Sequence, residues 1–290
     1  MSVPTAAPEL CMLRHRSALG EWEMASRPPS PRLREYVHGY QGYLERSMGF
    51  SRRIEAPSPV VPLIINFGPV YRVSGPGERG RPAVLSSFVA GLYESYALVE
   101  ATGLNCGLQV NFTPLGARRF FGLPMGELTS RCLALDDLFG AAARRFVEQL
   151  ERLSDWAERF DLLDTAIAGR LAQGPAPSAG IVHAWRRLCA THGRLSAGAL
   201  ASELGCSRKH LATGFRDQIG LPPSTVGRIL RFNRALRLLE PRGDLCRAQV
   251  ALDCGYFDQA HFNREFRAFT GRTPGDFLRR RLPDGGVLGD

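Results

Sequence analysis

Two stretches near the end of the 290-residue chain carry basic and amide side chains at helical spacing. Arginine can pair with guanine edges, asparagine and glutamine can pair with adenine edges, and basic side chains also hold phosphates. Both stretches are therefore candidates for contact with double-stranded DNA. The side chains expected on their outward faces are Arg208, Lys209, Thr213 and Arg216 in one stretch and Gln259, Asn263, Arg264 and Arg267 in the other.

These stretches belong to an internal repeat. The offset between the copies is 50 residues before a turn and 51 residues after it, so the second copy has one extra residue in its turn. A repeat of this length indicates one structural unit that is present twice. The matching positions pair Ala201 with Ala251, Gly205 with Gly255, His210 with His261, Phe215 with Phe266, Arg216 with Arg267 and Gly220 with Gly271.

Each copy predicts a helix, a glycine turn and a second helix that begins at a capping residue. In the first unit, Ser196 and Ser207 are the predicted caps, and the helices end near residues 204 and 219. The second unit repeats this order to residue 270 with Asp244, Gly255 and Asp258. This is the helix-turn-helix arrangement, whose second helix enters the major groove of DNA.

An amphipathic helix predicted over residues 225–239 connects the two units. A rigid connector would hold the two recognition helices about one turn of DNA, ~34 Å, apart. Because Lys209 and Thr213 offer less base readout than Asn263 and Arg264, we expect more phosphate contact from the first unit. The second unit is expected to carry more of the sequence specificity.

The charge distribution agrees with two different roles for the two ends of the chain. Residues 181–290 contain 18 of the 37 basic residues but only 10 of the 28 acidic ones, so nearly all of the +9 net charge lies there. The N-terminal part has almost no net charge, whereas the C-terminal part is basic. This difference favours a polyanion as the binding partner of the C-terminal part.

The run GYFDQAHFNREFRAFTGRTPGDF at 255–277 resembles the signature of AraC-type (AraC/XylS) bacterial transcriptional regulators. The resemblance covers about 181–281. It implies a cytoplasmic, sequence-specific DNA-binding transcription factor, with RNA polymerase as a possible partner. The stretch 88–140 is more weakly similar to a β-rich sensor domain of this family, which implies a small-molecule effector or a homodimer.

The N-terminal part of the sequence predicts a β-rich sandwich or barrel with covering helices. An all-α domain with the two helix-turn-helix units is expected to follow it. The predicted fold class is therefore α+β overall. Short strands are expected between residues 60 and 112, helices over 138–153 and 156–167, and irregular structure over 1–31. The predicted boundaries are 1–171 for a sensor or dimerisation domain, 172–180 for a linker, 181–283 for the DNA-binding domain and 284–290 for a tail.

Five aromatic residues of the front domain fit either of two roles. At strand spacing they could line a pocket for an effector or fill the core. They are Tyr71, Phe88, Tyr93, Tyr96 and Phe112. A front domain that only dimerises is a further possibility.

The alternative hypothesis is that the N-terminal domain is an enzyme of the repair or modification type, which the DNA-binding domain tethers to DNA. Such an enzyme would need a reactive cluster, but Cys11, Cys106 and Cys132 are separately spaced and have no evident partner. We therefore expect neither catalytic residues nor a metal or other cofactor. The seven cysteines form no C-x-x-C pair and fit a reducing cytoplasm. No signal peptide and no membrane span are predicted.

Overall fold

The computed structural model describes residues 9–17, 20–75, 82–239, 247–282 and 286–289. They form a β-sheet part, up to residue 173, and a helical part from residue 179. Within the described residues, nine strands form one antiparallel sheet in the order β1-β2-β3-β8-β4-β7-β9, with β5 on β8 and β6 on β5. The strands are β1 (Cys11–Ser17), β2 (Gly20–Arg27), β3 (Val37–Glu55), β4 (Val61–Asn66), β5 (Tyr71–Ser74), β6 (Ala83–Leu85), β7 (Phe88–Ala90), β8 (Ala97–Phe112) and β9 (Cys132–Ala134).

The long strands β3 and β8 form the centre of the sheet. They pair from Val37 opposite Phe112 to Glu55 opposite Ala97, with a register shift after Arg46. Because side chains alternate between the faces of a strand, the two faces of this pair differ. One face packs its apolar side chains against helices, and the other bears polar side chains toward a cavity.

Four helices accompany the sheet: α1 (Pro114–Phe121), α2 (Leu135–Phe139), α3 (Ala141–Arg152) and α4 (Trp156–Gln173). The α4 helix covers the apolar face, where Phe160 stacks on Tyr40 at 5.6 Å between ring centroids. The buried Arg27 guanidinium contacts Asp161 at 2.7 Å, and Tyr40 donates a hydrogen bond to Asp164 at 2.6 Å. These polar contacts fix α4 on the sheet.

The described helical part contains α5 (Ala179–Ala190), α6 (Ala197–Glu203), α7 (Arg208–Gln218), α8 (Pro223–Leu238), α9 (Arg247–Asp253), α10 (Gln259–Thr270) and α11 (Pro274–Arg279). The α8 helix is the predicted connector between the two units. The α+β fold class, with a helical second part, is confirmed. Among the described residues, none of the helices combines the length and apolar composition needed to cross a bilayer.

The prediction of irregular structure over residues 1–31 was wrong, because β1 and β2 form a hairpin there. The side chains of residues 11–16 are exposed on both faces of β1, so the strand lacks the one-sided apolar alternation that identifies strands. The predicted strands at 95–100 and 106–112 are parts of one strand, β8. Asp244, the predicted start of the second unit, lies outside the described residues.

Candidate nucleic-acid interface

The first unit has the predicted caps and turn. Ser196 Oγ accepts a hydrogen bond from the N–H of Ala199, and Ser207 Oγ accepts one from the N–H of His210, both at 3.1 Å. Gly205 makes the turn between α6 and α7 at φ +61°, a conformation that glycine adopts without strain. Leu211 and Phe215 are buried, so the opposite side of α7 faces outward.

The second unit follows the same plan with an aromatic interior. Asp258 accepts a hydrogen bond from the N–H of His261 at 2.6 Å and caps α10, and Gly255 turns the chain at φ +80°. Phe266 is fully buried and lies within 5.2–5.6 Å, between ring centroids, of three other phenylalanines. Phe232 of α8 and Phe277 of α11 therefore hold the second recognition helix, and Phe262 adds a ring from α10 itself.

All eight predicted contact side chains are exposed on α7 and α10. They form two separate sets, one on each recognition helix. In the first set, the Arg208 guanidinium lies beside Gly198 of α6. The eight residues are Arg208, Lys209, Thr213 and Arg216 on α7, and Gln259, Asn263, Arg264 and Arg267 on α10.

A groove of about 410 Å³ runs between α10 and the start of α11. Three arginine guanidinium groups, a hydroxyl and an amide converge on it, which suits an anionic, hydrogen-bonding group such as a phosphate. Thr273 and Arg279 were not predicted as contact residues, because only the fold brings α11 beside α10. The lining residues are Asn263, Arg264, Arg267, Thr273, Pro274, Gly275 and Arg279.

The same helix position is filled differently in the two units. In α7 it is Gly214, where an added methyl group would lie 2.8 Å from Ile181 Cδ1. In α10 it is Glu265, a buried carboxylate that accepts a hydrogen bond from Arg228 Nε at 2.6 Å. Burial, together with the Glu265 carboxylate, raises the pKa of the neighbouring Tyr256.

The β-sheet part encloses a cavity of about 580 Å³ on the polar face of β3 and β8. Its lining combines glutamine and asparagine side chains, here called the polar wall, with aromatic and aliphatic side chains. Of the five aromatic residues considered for a pocket, Tyr71, Phe88 and Tyr93 line this cavity. Phe112 instead packs on Phe120 behind the sheet, at 4.9 Å between ring centroids. The polar wall consists of Gln41, Asn105, Gln109 and Asn111.

The ionisable groups of the cavity are partly neutralised within the protein. Arg53 Nη2 lies 2.9 Å from both carboxylate oxygens of Glu45, and the Asn105 amide donates a further hydrogen bond to that carboxylate at 3.4 Å. The Tyr43 and Tyr71 hydroxyls are 3.0 Å apart. Burial raises the pKa of both tyrosines, so both hydroxyls remain protonated.

The β-sheet part contacts the first unit at the C-terminal end of α7. Arg118 Nη1 lies 3.1 Å from Asp217 Oδ2, and Thr129 Oγ1 donates a hydrogen bond to the Gly220 carbonyl at 2.6 Å. These contacts lie beyond the exposed set on α7, so they leave Lys209 and Thr213 accessible.

The second unit has contacts of its own with the β-sheet part. Ser95 Oγ donates a hydrogen bond to the Ala268 carbonyl at 2.9 Å, and the Tyr96 ring lies against Gly271. Tyr96 thus belongs to this contact and not to the cavity lining. The last described segment pairs with β3, because the Ile54 N–H donates to the Val287 carbonyl at 2.8 Å.

Comparison with known proteins agrees with the repeat. A family model described as a helix-turn-helix domain matches residues 200–280, and a model described as a domain of unknown function (DUF6597) matches residues 25–134. No curated protein matches the chain.

Several solved structures are similar to the chain. ToxT from Vibrio cholerae is 10% identical over 83% of this chain and 98% of that chain, with a TM-score of 0.49. The C-terminal domain of AraT, a response regulator from Geobacillus stearothermophilus, is 21% identical over 37% of this chain and 90% of that chain, with a TM-score of 0.34. A DNA-binding transcriptional dual regulator from Escherichia coli K-12 is 28% identical over 32% of this chain and 87% of that chain, with a TM-score of 0.29.

The identification rests on the helix-turn-helix match over residues 200–280 and on the two capped units with exposed recognition helices. The signature run at 255–277 lies within this region and forms the turn, α10 and the start of α11. Residues 200–280 therefore form a helix-turn-helix domain, as in a DNA-binding transcription regulator.

Proposed function

We propose that the protein binds one face of a DNA duplex through α7 and α10 and that a small molecule in the β-sheet cavity controls this binding. The observation that carries the proposal is the repetition of an exposed polar face with basic side chains on two capped helices. The proposed division follows the predicted boundaries, with a sensor at 1–171, a linker at 172–180, a DNA-binding domain at 181–283 and a tail at 284–290. Bacterial cytoplasm is the location that this function requires.

In the proposed complex the second unit reads bases. Gln259 and Asn263 have the amide groups that pair with adenine, and Arg264 has the paired donors that match guanine. A phosphate of the same strand occupies the groove between α10 and α11, where Arg267 and Arg279 balance its charge. Each good bidentate base contact contributes about 1–3 kcal/mol of discrimination.

The first unit contributes mainly backbone contacts. Lys209 and Arg216 are exposed cations suited to phosphates, while Thr213 can bond to either a phosphate or a base. Arg208 lies beside Gly198, which favours a phosphate contact at the start of α7. Phosphate contacts position a protein on DNA but carry no sequence information directly.

The cavity favours an uncharged, amphipathic effector. The Glu45 and Arg53 charges satisfy each other, so a ligand ion would have to compete with an existing ion pair. The amide side chains and aromatic rings of the lining match a molecule with hydrogen-bonding groups and an apolar body.

Three contacts support communication between the cavity and DNA. Tyr93 lines the cavity two residues before Ser95, which holds the C-terminal end of α10. Cys132 also lines the cavity and follows the segment with Thr129, which holds the end of α7. Gly286 at the cavity margin belongs to the segment that pairs with β3. A ligand that moves these segments would change the separation of the recognition helices.

The test is a selection of binding sites from random duplex DNA with the full chain. We expect two short elements about one helical turn apart, and a salt-dependent affinity because phosphate contacts release counterions. Absence of any enriched sequence would overturn the DNA-reading proposal.

Contact with RNA polymerase and formation of a homodimer are further parts of the proposal. Binding to the selected site with added polymerase would test the first, and sedimentation would test the second.

A further inference from the structure

Phe257 is the most exposed large hydrophobic residue in the described part of the chain. Phe257 is 84% exposed, whereas Leu252, the second most exposed large hydrophobic residue in the described part, is 56% exposed. Exposed apolar area on this scale is unfavourable in water, where burying a phenylalanine side chain would gain about 1.5–3 kcal/mol. A partner that covers the ring would therefore gain affinity.

The ring is presented by a rigid turn. The Phe257 N–H donates a hydrogen bond to His261 Nδ1 at 3.4 Å. On one side Tyr256 is buried against Phe262, at 5.2 Å between ring centroids. On the other side Asp258 caps α10 through the N–H of His261. Phe257 is thus fixed between two anchored neighbours at the N-terminal end of the recognition helix.

Phe257 has no counterpart in the first unit. The turn of each unit begins with the same backbone bond, from Cys206 N to the Ala201 carbonyl and from Tyr256 N to the Ala251 carbonyl, both at 3.0 Å. The capping residue follows Cys206 directly, but it follows Tyr256 only after Phe257. The extra residue of the repeat is therefore the exposed ring.

We propose that Phe257 contacts the 5-methyl group of a thymine in the major groove, beside the bases that Gln259 reads. The inference rests on the proposed DNA-binding function, in which the N-terminal end of α10 enters the groove. A phenyl ring has no hydrogen-bond donor or acceptor, and the thymine methyl is the apolar group that the major groove presents. The second unit thereby gains a thymine preference that the first unit lacks.

The test replaces thymine by uracil, which removes only the methyl group. In the site selected by the full chain, each thymine of the half bound by the second unit is changed to deoxyuridine in turn. One replacement should weaken wild-type binding about fourfold, as expected when one buried methyl group is lost. Phe257→Ala should bind the thymine site at least about tenfold more weakly, because the burial of the whole ring is lost, and should be insensitive to that replacement.

Two controls separate the contact from general effects. Leu252→Ala removes the other exposed apolar side chain of the second unit, and Cys206→Ala changes the turn of the first unit. Both variants should keep the wild-type response to uracil. Because Phe257 is exposed, Phe257→Ala should also unfold at the wild-type temperature.

The outcomes are distinguishable. If wild type selects no DNA site, the proposed function itself fails. If wild type selects a site but no uracil replacement weakens binding, or if Phe257→Ala keeps the wild-type sensitivity, the thymine contact is wrong. A Phe257→Ala variant that binds DNA normally but loses recruitment of RNA polymerase would assign the ring to a protein partner and would also overturn the inference.

Discussion

The two helix-turn-helix units have the same caps and turns but are stabilised differently. The first unit relies on the β-sheet part, which holds the end of α7 through Arg118 and Thr129. The second unit relies on its own aromatic interior and on the buried Glu265–Arg228 pair. Both units contact the β-sheet part, so the repeated fold presents two similar faces whose interiors are stabilised by different means.

The largest difference is expected from removing equivalent core rings. Phe266→Ala should lower the free energy of unfolding by about 3–5 kcal/mol, because it leaves a cavity in the core. Phe215→Ala, its counterpart in the repeat, should cost less. Aromatic pairs add about 0.5–1.5 kcal/mol each, and the structure records ring contacts for Phe266. Chemical denaturation measures the free energy of unfolding of both variants. Equal losses of this free energy would contradict the proposed difference in stabilisation between the two units.

Breaking the buried ion pair should affect the second unit next. Arg228→Ala leaves the Glu265 carboxylate buried without its cation, which should cost about 2 kcal/mol, below the usual value for buried pairs because Arg228 is partly exposed. Arg237→Ala, a change of an exposed arginine on the same helix, should alter stability by less than about 0.5 kcal/mol. Similar losses in the two variants would mean that the pair has no special role.

Substitutions on the two DNA faces should differ in kind. Arg264→Ala should reduce affinity by about 1–3 kcal/mol and relax the preference at one base pair. Lys209→Ala should weaken binding to all sequences about equally and lower the salt slope by about one. Competition binding at several salt concentrations measures both effects. A loss of base preference with Lys209→Ala alone would reverse the roles assigned to the units.

The smallest effect is expected at Gly214. Alanine there favours the helix by about 1 kcal/mol but pushes against Ile181, so Gly214→Ala should cost less than about 1 kcal/mol overall. In an Ile181→Val background, which removes the opposing methyl group, the same change should become stabilising. Thermal unfolding of the wild type, the two single variants and the double variant measures the coupling free energy between Gly214→Ala and Ile181→Val. If the two stability changes simply add, the contact between residues 214 and 181 is refuted.

The helical part could be predicted closely from sequence because its signals are local. Ser207 and Asp258 cap their helices directly, and the glycines of both turns follow the same rule. The eight predicted contact residues are exposed for the same reason, since helical periodicity sets the faces of α7 and α10. Their contact with DNA remains a prediction.

Only the fold class of the β-sheet part could be predicted from the sequence. The polar wall of the cavity comes from alternate positions of β8, but its meaning depends on how the sheet curls, which is set by contacts far apart in sequence. The contacts of Asp161 and Asp164 with the buried Arg27 likewise join residues that are far apart in sequence. The repeat offset predicts one extra residue in the second turn, but the exposure of Phe257 depends on the burial of Tyr256 beside it, which the offset does not predict.

The pairing of residue 287 with β3 has a consequence for the order of folding. Ile54 and Val287 are far apart in the sequence, so their contact closes a loop that contains most of the chain. Contacts of such long sequence separation form slowly, and a ribosome completes β3 long before it makes Val287. The sheet must therefore fold first with this part of its edge uncovered. The joining of the two parts is then a late event that reports the completed synthesis of the DNA-binding half.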